Sequence, residues 1–144
     1  MTTTSDFNAK VVEEFRTNEG RVGPPFEGAP ITLLHHRGRK SGVEYLSPMM
    51  YLGDADDPDT IYVFASKGGA PTNPEWYYNL LSAGQAEVEV GTETYPVTVR
   101  DLSGDERERV FRIQAGRYPG FADYEQKTSG IRKIPVVALT RART

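Results

Sequence analysis

The sequence predicts a mainly β fold with flanking helices, its six mainly antiparallel strands forming a closed or half-closed barrel, and three observations carry that expectation. β-prone runs are joined by tight glycine-containing turns, not by the helical crossovers that parallel strands need. The hairpin around Gly91-Thr92 alternates apolar and charged residues, which gives it one wet face. Strands with a single buried face cover it by curling round on one another. At 144 residues the chain has the length of one domain, so residues 1–144 are expected to form a single unit, with residues 1–27 as an N-terminal amphipathic helix and linker.

Taken in order, Ser5 or Asp6 can cap a first helix whose Phe7, Val11, Val12 and Phe15 share one face, and Gly20 stops it. Arg21 to Pro30 is dense in Gly and Pro and reads as an irregular linker. Ile31–His36 and Val43–Leu52 are β-type runs around Gly38-Arg39-Lys40-Ser41-Gly42 and predict a hairpin. Pro48 interrupts the second run. Lacking an N–H, it marks an edge, a bulge or a stretch faced by something other than a strand. An acidic loop from Gly53 to Asp59 leads into Thr60–Ser66, a strongly β-prone run expected at the centre of the sheet. Asn73-Pro74-Glu75 has the form of a helix start, with Asn as the cap, Pro at the first helical position and Glu in the first turn. That helix carries Trp76, Tyr77 and Leu80 and ends near Gly84. Ala86–Val90 and a return through Tyr95, Val97 and Val99 form the second hairpin. Ser103-Gly104-Asp105-Glu106 fits a capping box for a helix bearing Val110, Phe111 and Ile113. Pro119-Gly120 breaks it, a short Phe121–Lys127 segment follows, and Ile134–Leu139 supplies the last strand.

Composition excludes several classes of function. With no Cys there are no disulfides and no Cys-based zinc sites, and a net charge of −3 argues against bulk nucleic-acid binding. No apolar run approaches the ~18 residues of a membrane span. Met1 to Asp6 lacks the cationic-then-apolar layout of a secretory signal, so a cytoplasmic protein is expected. His35 and His36 are strand neighbours, point to opposite faces and cannot share an ion; no metal site is expected. Neither a Gly-x-Ser-x-Gly elbow nor a His-Glu-x-x-His is present.

Three features remain that can carry chemistry. Gly38-Arg39-Lys40-Ser41-Gly42 gathers donors in a flexible turn, a composition suited to phosphate or carboxylate, although a solvated hairpin tip has the same look. Ser66-Lys67-Gly68-Gly69-Ala70-Pro71 ends a strand in a Gly-Gly loop that feeds a helix N-terminus, so a ligand could approach the backbone closely there; a plain connector is the alternative. The aromatic residues Trp76, Tyr118, Phe121 and Tyr124 form a set that is more often core than ligand wall, but two of them carry hydroxyls.

These pieces together resemble the deazaflavin-dependent nitroreductase family, small barrels that bind coenzyme F420. The likeness runs through Phe15-Arg16, Gly20-Arg21-Val22-Gly23, Gly28-Ala29-Pro30, Gly38-Arg39-Lys40-Ser41-Gly42, Pro48-Met49, Ala65-Ser66-Lys67-Gly68-Gly69, Asn73-Pro74-Glu75-Trp76-Tyr77, Tyr118-Pro119-Gly120-Phe121-Ala122-Asp123-Tyr124 and Ile134-Pro135-Val136-Val137. It implies a six-stranded antiparallel split β-barrel of the FMN-binding type, flanked by helices. It also implies an F420H2-dependent reductase passing a hydride to a quinone, an enone or a nitro compound. Arg39, Lys40 and Ser41 would hold the coenzyme's phosphate and acidic tail. Pro48, Met49, Met50, Ala65, Ser66, Lys67, Gly68 and Gly69 would line its ring, and Trp76 would flank both ring and substrate. Tyr118, Phe121 and Tyr124 would form the substrate side, with Ser66, Tyr118 and Tyr124 as catalytic donors to the acceptor. Family members often have Arg in place of Tyr45 and Tyr in place of Phe121, which bears on one phosphate contact and on the substrate. The rivals are an FMN-dependent split-barrel oxidoreductase, a non-enzymatic F420 carrier, and a nucleic-acid-binding barrel; Glu87, Glu89 and Glu93 argue against the last. Whether the first helix touches a membrane, and whether the protein is a monomer or a homodimer, stays open at this level.

Overall fold

The computed structural model describes residues 2–3, 6–23 and 29–142. In chain order its elements are Thr2–Thr3 (β1), Asp6–Thr17 (α1), Ile31–Arg37 (β2), Glu44–Gly53 (β3), Thr60–Phe64 (β4), Glu75–Ala83 (α2), Gln85–Val90 (β5), Glu93–Asp101 (β6), Gly104–Arg117 (α3), Gly120–Thr128 (α4) and Val136–Arg141 (β7), with a 3-10 turn at Lys67–Gly69. Ser5 and residues 24–28 lie outside the described residues, as does the side chain of Phe7.

Short turns force reversal, so β2 pairs antiparallel with β3 (Leu34↔Ser47) and β5 with β6 (Val88↔Tyr95). The order β3-β2-β5-β6-β7-β4 then closes on itself through a β3–β4 pairing, which makes a six-stranded antiparallel barrel with, among the described residues, four helices packed on it. The barrel was the expected fold. β1, which periodicity could not reveal in two residues, adds to β3 in parallel.

Alternation along each strand builds an interior core and, on the outer face of the same sheet, two more that the helices cover. Leu34, Val63, Val88, Val97, Val137 and Leu139 point inward, and Tyr77 and Leu80 of α2 join them. On the outer surface α1 covers β2 and β3, burying Val11, Val12 and Phe15 against Ile31, Leu33 and Leu46. Farther round, α3 and α4 cover β4 and β7, with Val110, Phe111 and Phe121 on Tyr62, Phe64 and Val136. Burial of each such side chain contributes about 1.5–3 kcal/mol. The half-exposed Arg16–Glu89 pair, 2.6 Å long, contributes at most about 1 kcal/mol, so apolar contact is what holds α1 in place. The chain leaving α1 passes the β5–β6 turn so closely that a Cβ on Gly20, at φ +96°, would stand 2.7 Å from the Gly91 Cα.

Four local expectations are corrected. β4 stops at Phe64, because Ser66 has already turned to φ −73°, ψ −37° at the head of the 3-10 turn. β7 begins at Val136, after Pro135, which has no N–H to give a ladder. Asn73 does not cap α2: Pro74 precedes its first residue, and the Asn73 side chain is engaged elsewhere. The capping box at Ser103 does not form, because Glu106 takes both ends of the Arg100 guanidinium at 2.6 and 3.0 Å. The expectation for Pro48 holds. β3 pairs with β1 at Glu44–Tyr45 and with β4 only from Tyr51 onward, so, among the described residues, residues 46–50 have a strand partner on the β2 side alone.

Candidate active site

The turn between β2 and β3 forms one wall of a pocket of about 360 Å³, lined by His36, Gly38, Arg39, Lys40, Ser41, Tyr45, Glu75 and Asn79. Within the turn, Gly42 N–H donates to Gly38 O (2.9 Å), Gly38 N–H to Val43 O (2.9 Å) and Val43 N–H to Ser41 Oγ (3.1 Å). The Arg39 N–H donates to Oδ1 of the buried Asn79 at 3.0 Å, which ties the tip of the hairpin to α2. The Arg39 guanidinium lies 5.2 Å from the Tyr78 ring centre and 3.8 Å from Glu75, with Lys40 and Ser41 exposed beside it. Both cations are thus at a concave surface and only loosely paired. Tyr45 stacks on His36 with ring centres 5.5 Å apart. His36 is buried and its pKa falls to about 4, chiefly because burial disfavours the charged ring and secondarily through His35.

The next part of the site is the stretch of β3 that pairs with β2 alone among the described residues. Met49 packs with the interior core, while Met50 packs with the two outer cores. The two side chains therefore sit on opposite faces of the wall, and what residues 48–50 share is a backbone edge. Ala65 is fully buried at the end of β4 and Ser66 is half-buried. Lys67 takes a left-handed φ of +49° and reaches Thr72 Oγ1 at 3.1 Å, and Gly68 lies inside the 3-10 turn. Gly69, at φ +84°, is pressed against α4: a Cβ there would stand 2.9 Å from Lys127 Cδ and 3.5 Å from Tyr124 Cα. Its freedom is thus already used by a protein contact.

Arg132 organises this loop and was missed in the sequence. Its guanidinium donates to Ala70 O (3.0 Å), Ala65 O (3.1 Å), Ser66 O (2.9 Å) and Asn73 Oδ1 (2.7 Å). Asn73 in turn donates to the Tyr78 hydroxyl at 3.1 Å. A continuous set of contacts therefore runs from Arg39 over Tyr78 to Asn73, Arg132 and the 65–70 loop. No local pattern could have flagged Arg132, because its partners lie 59 to 67 residues away.

The aromatic residues divide. Phe121 is 8% exposed and meets Phe64 and Tyr124 edge to face at 5.6 and 5.5 Å, so burial dominates its role. Tyr118 and Tyr124 pack half-buried on the same outer core beside Met50, whereas Trp76 rests on the interior core with Met49. His35 and His36 face opposite ways, His35 to Glu89 at 2.7 Å and His36 to Ser47 at 3.0 Å. Among the described residues no group of three or more His, Cys, Asp or Glu could hold a metal ion.

The sequence profile of a family described as F420H(2)-dependent quinone reductase matches residues 8–141. The chain belongs to that family. An F420H2-dependent quinone reductase of Mycobacterium tuberculosis is 36% identical over 134 residues, covering 88% of this chain and 85% of the relative. Among solved structures, an F420-H2 dependent reductase is 35% identical with a TM-score of 0.66, covering 76% of this chain and 93% of that one. A protein solved as a domain-swapped dimer is 33% identical with a TM-score of 0.68, covering 89% and 90%. Membership in the F420H2-dependent quinone reductase family makes the chemistry a deazaflavin-dependent oxidoreduction and coenzyme F420 the cofactor. The residues present suit such a group: a cationic turn fits its anionic tail, and an open backbone edge fits a flat ring.

Proposed function

We propose that this chain is a single-domain F420H2-dependent reductase over residues 1–144, with quinones as acceptors and enones and nitro compounds as further ones. The observation that carries this is the unbroken surface from the Arg39-Lys40-Ser41 pocket, across Tyr78 and Asn73, to the 65–70 loop held by Arg132. Arg39, Lys40 and Ser41 bind the phosphate and acidic tail. The backbone of Pro48, Met49 and Met50 and that of Ala65, Ser66, Lys67, Gly68 and Gly69 border the ring, and Trp76 closes one side. When bound, reduced F420 supplies a hydride and no easy single electron. The protein's work is then alignment, with an acceptor held about 3–3.5 Å from the donor carbon. The hydroxyls of Ser66, Tyr118 and Tyr124 donate to the acceptor oxygen as negative charge develops on it, while Phe121 shapes the wall without donating.

No described helix is long and apolar enough to cross a membrane. Val11, Val12 and Phe15 of α1 are buried on the barrel, which argues against use of that face on a membrane. The domain-swapped relative supports a homodimer over a monomer, which light scattering decides. The functional test is to titrate F420, FMN and NADPH in parallel and then follow loss of F420H2 absorbance with menadione. F420 binding and turnover support the reading. FMN binding without F420 binding favours the flavin enzyme, and F420 binding without turnover favours the carrier.

A further inference from the structure

Three hydrogen bonds behind the anion pocket fix one another's direction. The Arg39 backbone N–H can only donate, so the Asn79 atom it meets at 3.0 Å is the amide oxygen. The Asn79 NH2 therefore faces the other way and donates to His36 Nδ1 at 3.0 Å. A ring nitrogen that accepts carries no proton. Neutral His36 must hold its proton on Nε2, from which it donates to Ser47 Oγ at 3.0 Å. Asn79 is 4% exposed and His36 8%, so water cannot easily replace either partner.

We propose that Asn79 and the Nε2-protonated tautomer of His36 are positioning residues that lock the Gly38–Val43 turn in its ligand-holding shape, with Asn79 as the adapter between ring and backbone. The proposal rests on the reading of this turn as the seat of F420's anionic tail. Among the described residues, the N–H groups of Gly38, Arg39, Gly42 and Val43 are bonded within the chain, which leaves those of Lys40 and Ser41 for an anion. Slackening the Arg39 anchor would let the turn exchange these roles. A second proton on His36 would set an N–H against the Asn79 NH2 and break the relay. The charged and titratable groups around this ring are Tyr45 on β3, which stacks on it, Arg39 and Lys40 in the turn and Glu75 on α2, while His35 and Arg37 on its own strand, Glu44 on β3 and Glu87 on β5 stand on the opposite face of the sheet.

Asn79→Asp tests the relay, because the carboxylate still accepts from Arg39 but cannot donate to His36 and instead attracts a proton to Nδ1. Nitrogen NMR of the cofactor-free wild type, with His36→Gln for assignment, should show a bare Nδ1 and a protonated Nε2 from about pH 6 to about pH 8. In Asn79→Asp the proton should appear on Nδ1. F420 affinity relative to wild type should be about tenfold weaker at high pH and recover several-fold as protonated His36 neutralises the new carboxylate. The titration of F420 itself is common to both proteins and cancels in the ratio. Asn79→Ala should weaken binding without that pH dependence. A wild-type His36 protonated on Nδ1, or an Asn79→Asp affinity ratio flat with pH, overturns the proposal. Wild-type protein that binds no F420 overturns the functional reading instead, an outcome separate from the spectrum of the cofactor-free protein.

Discussion

Replacing Arg132 by Met removes the four donors that hold residues 65–73 and leaves an isosteric apolar stem. The cost can be built from the acceptors. Ala65 is fully buried, so its carbonyl loses a partner that water cannot supply, at about 1–3 kcal/mol. The other three acceptors lie nearer solvent and cost about 0.5–1.5 kcal/mol each. Because the loop can relax, the low ends of these ranges apply, and the sum is about 2.5 kcal/mol. That lowers Tm by roughly 5–10 °C in a chain of this size. If the same energy falls on ordering of the loop, the competent fraction drops and the apparent Kd for F420 rises by up to about 60-fold. Arg132→Lys, whose ammonium can reach only some of these acceptors, should recover part of both losses. Thermal unfolding, F420 titration and amide exchange at Ser66–Ala70 measure the three consequences. Wild-type F420 affinity in folded Arg132→Met protein, with unchanged exchange in the loop, would refute the reasoning.

Arg39→Ala with Lys40→Ala should weaken F420 binding and flatten its salt dependence with little change in Tm, since both side chains are exposed and screened within about 10 Å at 0.1 M salt; an unchanged salt slope counts against the cradle. Gly69→Val should destabilise the α4 contact by about 1–3 kcal/mol through its left-handed φ and the 2.9 Å approach to Lys127, and Lys127→Ala should relieve only the steric part in calorimetry. Tyr124→Phe should lower turnover more than F420 affinity, by up to about 2.7–4 kcal/mol in barrier, whereas Ser66→Ala should change both; equal kcat in all three proteins removes these donors from the mechanism. His36 has a folded pKa depressed from 6.5 to about 4, so the unfolded chain binds the extra proton first and stability is lost as pH falls from about 6.5 to about 4. That window is worth about 3 kcal/mol, and His36→Gln should flatten the Tm profile across it.

What the sequence made legible was whatever depends on neighbours in the chain. The Gly38–Gly42 hairpin, the α2 and α3 segments and the break at Pro119-Gly120 all follow from local turn chemistry and apolar spacing. Pro48 told of an unpartnered edge because a missing N–H has the same meaning in any context. The expected caps at Asn73 and Ser103 fail for a common reason: an arginine takes the capping group from the helix end, Arg132 for Asn73 and Arg100 for Glu106. Asn79 reads as an ordinary helix residue, and nothing local says that its amide meets both His36 and Arg39, 43 and 40 positions away. The resemblance implies one lining from adjacent Met49 and Met50, whereas a strand must send their side chains to opposite faces.

Among the described residues the barrel wall is open along residues 46–50, and such an opening is also a hazard, because a bare strand edge invites addition of a strand from another molecule. β3 faces that gap with proline at its centre, where an incoming strand would look for an N–H and find a ring carbon. Helices shield both flanks of the same stretch, with Leu46 beneath α1 and Met50 shared between the α1 core and the α3–α4 core. The aperture is therefore discriminating by backbone chemistry alone: it leaves room for a flat small molecule and denies the ladder on which intermolecular sheet growth depends.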